Sequence, residues 1–194
     1  MIKRYEYIFE AVNNCKPKTI IDIGVWNAVN SCQIIETASI YNKVEYYGFD
    51  LWEDLDSDKF IDEYMYPKKK SSYEEALKRI KHLNTTRDFS FSLFRGDTKI
   101  NLKKENFPLP SVDFVFIDGG HSLDTIESDW NNIKWRLHKD SVVIFDDYWH
   151  NRNDAGCKNL IDRLIKEDLY NISISVLNTF KLYDISIVEL KIRE

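Results

Sequence analysis

Residues 112–121 read VDFVFIDGGH and residues 140–149 read DSVVIFDDYW. Val112 to Ile117 is a nearly continuous run of β-branched and aromatic residues, bounded by Pro108, Pro110 and Gly119, and predicts a strand buried on both faces. Asp118 stands at its carboxyl end. Ser122 is placed to cap a following helix, whose apolar residues Leu123, Ile126, Trp130, Ile133 and Leu137 recur at three- and four-residue steps. Val142 to Phe145 predicts a second buried strand, ending at Asp146 and Asp147. A strand, a helix and a strand in this order require a right-handed crossover between parallel strands, so both carboxyl ends lie on one edge of one sheet. In open α/β sheets that edge is where ligands bind. Asp118, Asp146 and Asp147 are therefore candidates for one crevice.

Working outward, Ile2, Tyr5, Ile8, Phe9 and Val12 predict an amphipathic helix ending near Pro17. Thr19 to Ile23 is the first predicted strand, broken by Gly24, with Asn27 or Asn30 as the cap of a helix reaching about Tyr41. Val44 to Phe49 is the second strand, closing at Asp50. Residues 53–88 are long, polar and charged, with Ser72 and Glu75 as a capping pair before Leu77, Ile80 and Leu83. Phe89 to Phe94 is the third strand, closing at Gly96 and Asp97. After Gly156 a helix leads to two final strands, roughly 172–180 and 185–192, whose short connection makes them antiparallel. The reading is one α/β domain over 1–194, a mostly parallel seven-stranded sheet with helices on both faces, in which 53–88 is a candidate lid.

At 194 residues the chain suits one core. Its net charge of −5 and the lack of a basic stripe interleaved with aromatics disfavour a nucleic-acid partner. No run of about 18 apolar residues is present, and MIKRYEYIFEAV has no signal-peptide core, so the expectation is a cytoplasmic chain without a membrane segment. Cys15, Cys32 and Cys157 lack disulfide or zinc spacing and read as free thiols. His138 is expected to be a surface cation at a helix end.

Taken together, IDIGVWN, YGFD, RGD, IDGGHS and FDDYW, each following a strand in order, resemble the class I S-adenosylmethionine-dependent methyltransferases, and within them the macrocin-type and catechol-type small-molecule O-methyltransferases. The resemblance implies S-adenosylmethionine as cofactor, with Asp22 and Gly24 near its methionine part, Asp50 on the ribose hydroxyls, Asp97 and Thr98 near the adenine, and Asp118 also in the cofactor pocket. It implies a Mg²⁺-like cation on Asp118, Asp146 and Asp147, whose spacings of 28 and 29 residues match the family's metal carboxylates. Clustered carboxylates call for a cation, and oxygen ligands favour a hard one. His121, with Asp118, is the catalytic candidate for removing the acceptor's proton, and His150 is the alternative base. The acceptor implied is a small hydroxylated molecule, for which a sugar is favoured and the tyrosines and tryptophan of the insertion offer stacking faces. The rivals are a nicotinamide oxidoreductase, disfavoured because GVWNAV keeps only the first glycine of G-x-G-x-x-G, a cephalosporin-hydroxylase-like enzyme, and a binding protein that keeps the fold without catalysis.

Overall fold

The computed structural model describes residues 4–55, 71–107, 111–176 and 185–193. Helix α1 (Arg4–Cys15) leads into β1 (Thr19–Ile23), α2 (Val29–Ala38) and β2 (Val44–Asp50). A 3-10 turn (Trp52–Asp54), α3 (Tyr73–Asn84), β3 (Phe89–Arg95) and the short α4 (Thr98–Asn101) follow. The second half runs through β4 (Val112–Ile117), α5 (Leu123–Ile133), β5 (Leu137–Trp149), α6 (Lys158–Glu167), β6 (Tyr170–Val176) and β7 (Ile185–Ile192). The seven strands form one sheet in the order β3-β2-β1-β4-β5-β7-β6. The first five are parallel, while β7 runs antiparallel to both β5 and β6. The predicted architecture is the observed one. Among the described residues no helix is long and apolar enough to cross a membrane.

Alternation along the central strands explains the two-sided burial. Ile20, Phe114, Val142 and Ile144 join Ile8, Val12, Ile34 and Ile80 on one face. Ile21, Val115, Val143 and Phe145 join Trp130, Leu160 and Leu164 on the other. A strand covered on both sides must be apolar at successive positions, which is why β4 reads as a continuous run. Ser122 and Ser72 accept hydrogen bonds from the amides of Thr125 and Glu75, so both expected serine caps form.

Several local expectations are corrected. Helix α2 is entered through Ala28, one residue past the expected Asn27, whose Oδ1 still accepts from the Val29 amide at 3.2 Å, and it ends at Ala38. Helix α5 stops at Ile133, because a 3-10 turn over Lys134–Arg136 buries the Arg136 guanidinium against the carbonyl of Phe107 and frees Leu137 to begin β5. His138 therefore lies in a strand and pairs with Asp113, its Nε2 2.9 Å from Oδ1, instead of capping a helix. Residues 56–70 of the candidate lid, with Tyr64 and Tyr66, and the flanking Pro108 and Pro110 lie outside the described residues. Trp52 is buried, donates Nε1–H to the Trp26 carbonyl at 2.8 Å and packs edge-on against Tyr73, so it is a packing residue rather than a stacking face of a lid.

Candidate active site

Where β1 and β4 end, the chain must turn without filling the space between the strands. Gly24, at φ +97°, does this at β1: a Cβ there would stand 2.0 Å from the Asp118 carbonyl oxygen. The glycine thus serves the approach of β1 to β4, a backbone reason beyond the cofactor contact expected of it. Past Gly24 the loop passes through two further left-handed residues, Trp26 at φ +50° and Ala28 at φ +62°. The loop adopts there a backbone that glycine accommodates most readily, yet it carries an indole and a methyl group. Trp26 is 37% exposed.

This loop walls a small cleft of about 60 Å³, open to solvent and lined by Tyr5, Asp22, Gly24, Trp26, Asn30 and Asp118 among others. Asp22 is buried. Its Oδ2 accepts from Ser31 Oγ at 2.6 Å and Tyr46 Oη at 2.7 Å, while its Oδ1 has no hydrogen-bond partner among the described residues. Burial pushes the carboxyl up to about 6 against those two hydrogen bonds, with Asp118 and Asp50 adding to the rise. A buried carboxylate oxygen without a partner, on a side chain that lines a cleft, suits a ligand that brings a donor or a positive charge.

At the end of β2, Asp50 Oδ2 accepts from the Trp26 amide at 2.7 Å and Oδ1 from the Trp52 amide at 2.8 Å, which fixes the carboxylate plane. The Gly96 amide donates to the Asp50 carbonyl at 2.9 Å and so brings the end of β3 beside it. Asp97 caps α4 there, accepting from the Lys99 amide at 2.9 Å, and Thr98 is buried. Asp97 thus has a structural task of its own.

The second cluster adjoins the first through Asp118, which also lines a hollow shared with His121, Asp146, Asp147 and Cys157. Adjacent strand residues ordinarily point to opposite faces, so Asp146 and Asp147 should diverge. They do not. The β5–β7 register is irregular between Phe145 and Tyr148, and Asp147 is left-handed at φ +57°, so the strand continues past the aspartates while a bulge turns both carboxylates toward Asp118. Gly156 packs behind the bulge, and the Cys157 amide donates to the Asp147 carbonyl at 3.2 Å.

Arg4, from the first turn of α1, stands among the three. Its Nη2 lies 2.5 Å from Asp146 Oδ2, 3.4 Å from Asp147 Oδ1 and 3.6 Å from Asp118 Oδ1, and its Nε donates to Asp146 Oδ2 at 2.6 Å. The other Asp146 oxygen accepts from the Asp147 amide at 2.8 Å. Burial opposes the guanidinium charge, but Asp146, Asp118 and Asp147 outweigh it and hold Arg4 well above its ordinary range. Burial raises the Asp146 carboxyl, Asp118 raises it further, and Arg4 pulls it back. His121 is buried with Nε2 2.8 Å from Asp147 Oδ2, and packs edge-on against Trp149. Asp118, His121 and Asp147 each bring a ligand atom within 4.8 Å of one another, a grouping able to hold a metal ion. His150, the alternative base, instead pairs with Ser186 Oγ at 2.8 Å.

Sequence reading missed Arg4. A signal existed: Arg4 precedes Ile8 by four residues and Ala11 and Val12 by seven and eight, so it continues the buried stripe of α1. An arginine on an apolar stripe requires a buried acidic partner.

A family model described as a methyltransferase domain matches residues 21–148. No curated protein matches the chain. Among solved structures, the chain is similar to an O-methyltransferase from Bacillus cereus in complex with SAH (TM-score 0.70, 14% identity, 98% of this chain and 80% of that one). It is similar to the O-methyltransferase TomG from Streptomyces achromogenes, involved in tomaymycin synthesis and in complex with SAM (0.68, 13%, 98% and 80%). It is also similar to an rRNA methylase from Streptococcus thermophilus (0.65, 11%, 100% and 99%). With two thirds of its length matched and the strand order of that fold, the chain belongs to the methyltransferase-domain family and is a class I S-adenosylmethionine-dependent methyltransferase.

Proposed function

We propose that the chain methylates a hydroxyl oxygen of a small polyhydroxylated acceptor, of which a sugar is the favoured class. The observation that carries the placement of the cofactor is Asp22, a buried carboxylate that lines the cleft beside Gly24 and has one oxygen without a hydrogen-bond partner among the described residues. When bound, S-adenosylmethionine supplies a methyl group on a positively charged sulfur. Asp22, the Gly24 turn and Asp118 would hold its charged end, Asp50 its ribose hydroxyls, and Asp97 with Thr98 its base. Asp50 suits paired hydroxyl donors because its carboxylate is already oriented by two backbone amides.

The chain's own residues then have to align the acceptor and remove its proton. His121 is the proposed base, with Asp147 holding the imidazole through Nε2 and stabilising its charged form. Asp118, common to both hollows, would join the cofactor end to the acceptor end. The three aspartates are also those that a hard divalent cation such as Mg²⁺ would use. The Arg4 guanidinium already stands among them, so no step here depends on a metal. The insertion within 53–88 is proposed as the acceptor-binding lid, its length exceeding an ordinary connection.

S-adenosylhomocysteine at about a hundred times its dissociation constant should stabilise the fold by about 2.7 kcal/mol, roughly 5 to 10 °C in melting temperature, with no shift from NADH. Asp50→Ala should weaken that binding by about 1 to 3 kcal/mol, read by calorimetry; unchanged affinity would remove Asp50 from the ribose site. Transfer of labelled methyl to a panel of sugars, catechols and RNA tests the acceptor. RNA is included because an rRNA methylase shares the fold, although a net charge of −5 repels a polyanion. Labelling of RNA and not of hydroxylated small molecules would overturn the acceptor class.

A further inference from the structure

We propose that Arg4 is the resident cation of the acidic centre, occupying the place that a divalent metal would take between Asp118, Asp146 and Asp147 and excluding one from it. Three carboxylates, one at the end of β4 and two on the bulge of β5, cannot all remain charged and close unless a cation lies among them. One nitrogen of Arg4 reaches an oxygen of each, at 2.5, 3.4 and 3.6 Å, and the Asp146 side chain it grips most closely has no solvent exposure. A guanidinium is always charged and presents several donors in a fixed plane, so it bridges carboxylates as a metal does while carrying one charge instead of two. It is delivered by a helix whose Ile8, Ala11 and Val12 are buried against the core, so the side chain is anchored rather than a loose surface arm. A divalent ion entering this centre, among the three aspartates or in the Asp118, His121 and Asp147 grouping that shares two of them with Arg4, would meet a fixed positive charge in poorly solvated surroundings and would have to expel it. His121 lies on the opposite side of Asp147 from Arg4: Asp147 gives Oδ1 to the arginine and Oδ2 to the imidazole. Arg4 is accordingly a positioning residue, holding Asp147 where it can orient His121. The inference deepens the proposed function but is read without turnover.

The test is titration of the full chain with Mn²⁺, followed by electron paramagnetic resonance, for the wild type and for Arg4→Met, at constant ionic strength set with NaCl. The wild type should show no saturable site up to about 10 mM, whereas Arg4→Met should bind one Mn²⁺ at least about tenfold more tightly than that limit, because the uncovered carboxylates then need another cation. Melting curves give a second readout: Arg4→Met should melt lower than the wild type, and Mn²⁺ should raise it by several degrees while leaving the wild type unmoved. A saturable Mn²⁺ site in the wild type overturns the proposal. So does a folded Arg4→Met protein that ignores Mn²⁺. If Arg4→Met is recovered unfolded, refolding in the presence of Mn²⁺ supports the proposal, and failure of Mn²⁺ to restore the fold overturns it. S-adenosylhomocysteine binding by the wild type, measured alongside, stands or falls separately and reports on the cofactor reading alone.

Discussion

Gly24→Ala should lose on the order of 4 kcal/mol or more of folding stability, a large part of what a domain of this size possesses. The new Cβ would sit 2.0 Å from the Asp118 carbonyl oxygen, 2.5 Å from its carbon and 2.8 Å from the Gly119 nitrogen, all backbone atoms that no rotamer change can move. The residue would also have to hold φ +97°, a conformation side chains oppose. Relief requires the ends of β1 and β4 to part, which dismantles the cleft as well as the sheet edge. Gly48→Ala is the internal control. There the Cβ meets the Leu93 and Val25 side chains at 2.8 Å, groups that are able to turn aside, so about 1 to 2 kcal/mol is expected. Urea denaturation of both variants decides the matter; equal losses would mean that the close approach at Gly24 does not govern this edge.

Asp22→Asn should do the opposite, stabilising the unliganded protein while weakening cofactor binding. The Asp22 carboxyl titrates at about 6 in the fold, against an ordinary value of 3.8. At low pH both the folded and unfolded chains carry it neutral, and the stability associated with the neutral form is complete. As pH rises from about 4 through 6 the unfolded chain ionises first, so stability falls by up to about 3 kcal/mol and then levels off. Asparagine has the same shape, still accepts from Ser31 and Tyr46, and escapes that loss. At pH 7.5 the variant should therefore melt roughly 5 to 10 °C above the wild type, with the two curves meeting near pH 4. The comparison must be between the two proteins, since Asp146 adds a similar slope to each. The shift produced by S-adenosylhomocysteine should shrink by at least about 1.4 kcal/mol, a tenfold affinity loss, because a charged acceptor has become a neutral one. A variant no more stable than the wild type at pH 7.5 would mean that Asp22 carries no such strain.

The sheet was legible in the sequence because its strands are short apolar runs ending in Gly or Asp, and β1 and β4 fall on the expected residues. The carboxylates at its edge were legible for the same reason, since chain order and handedness carry Asp22, Asp50, Asp97, Asp118 and Asp146 to one side. What sequence could not supply was orientation. Nothing in FDDYW distinguishes a strand that ends at Asp146 from one that bulges and continues to Trp149, because a bulge is a tertiary accommodation with β7. Nor does GVWNAV announce that Trp26 and Ala28 are left-handed, since neither residue type favours that region. Arg4 was hidden by distance: its partner Asp146 lies 142 positions away, and only the helix phase hints that it turns inward.

Trp26 carries a consequence for how the cleft responds to a ligand. Its amide is bound to the Asp50 carboxylate and its carbonyl to the Trp52 indole, so the loop after β1 and the turn after β2 are fastened at one residue. The two ends of the proposed cofactor site thus move as a single jaw: an adenosine fragment seated against Asp50 should quench motion around Gly24, and a methionine fragment should do the reverse. Fragments of the cofactor offered together should then bind with positive cooperativity, each making the other's seat ready.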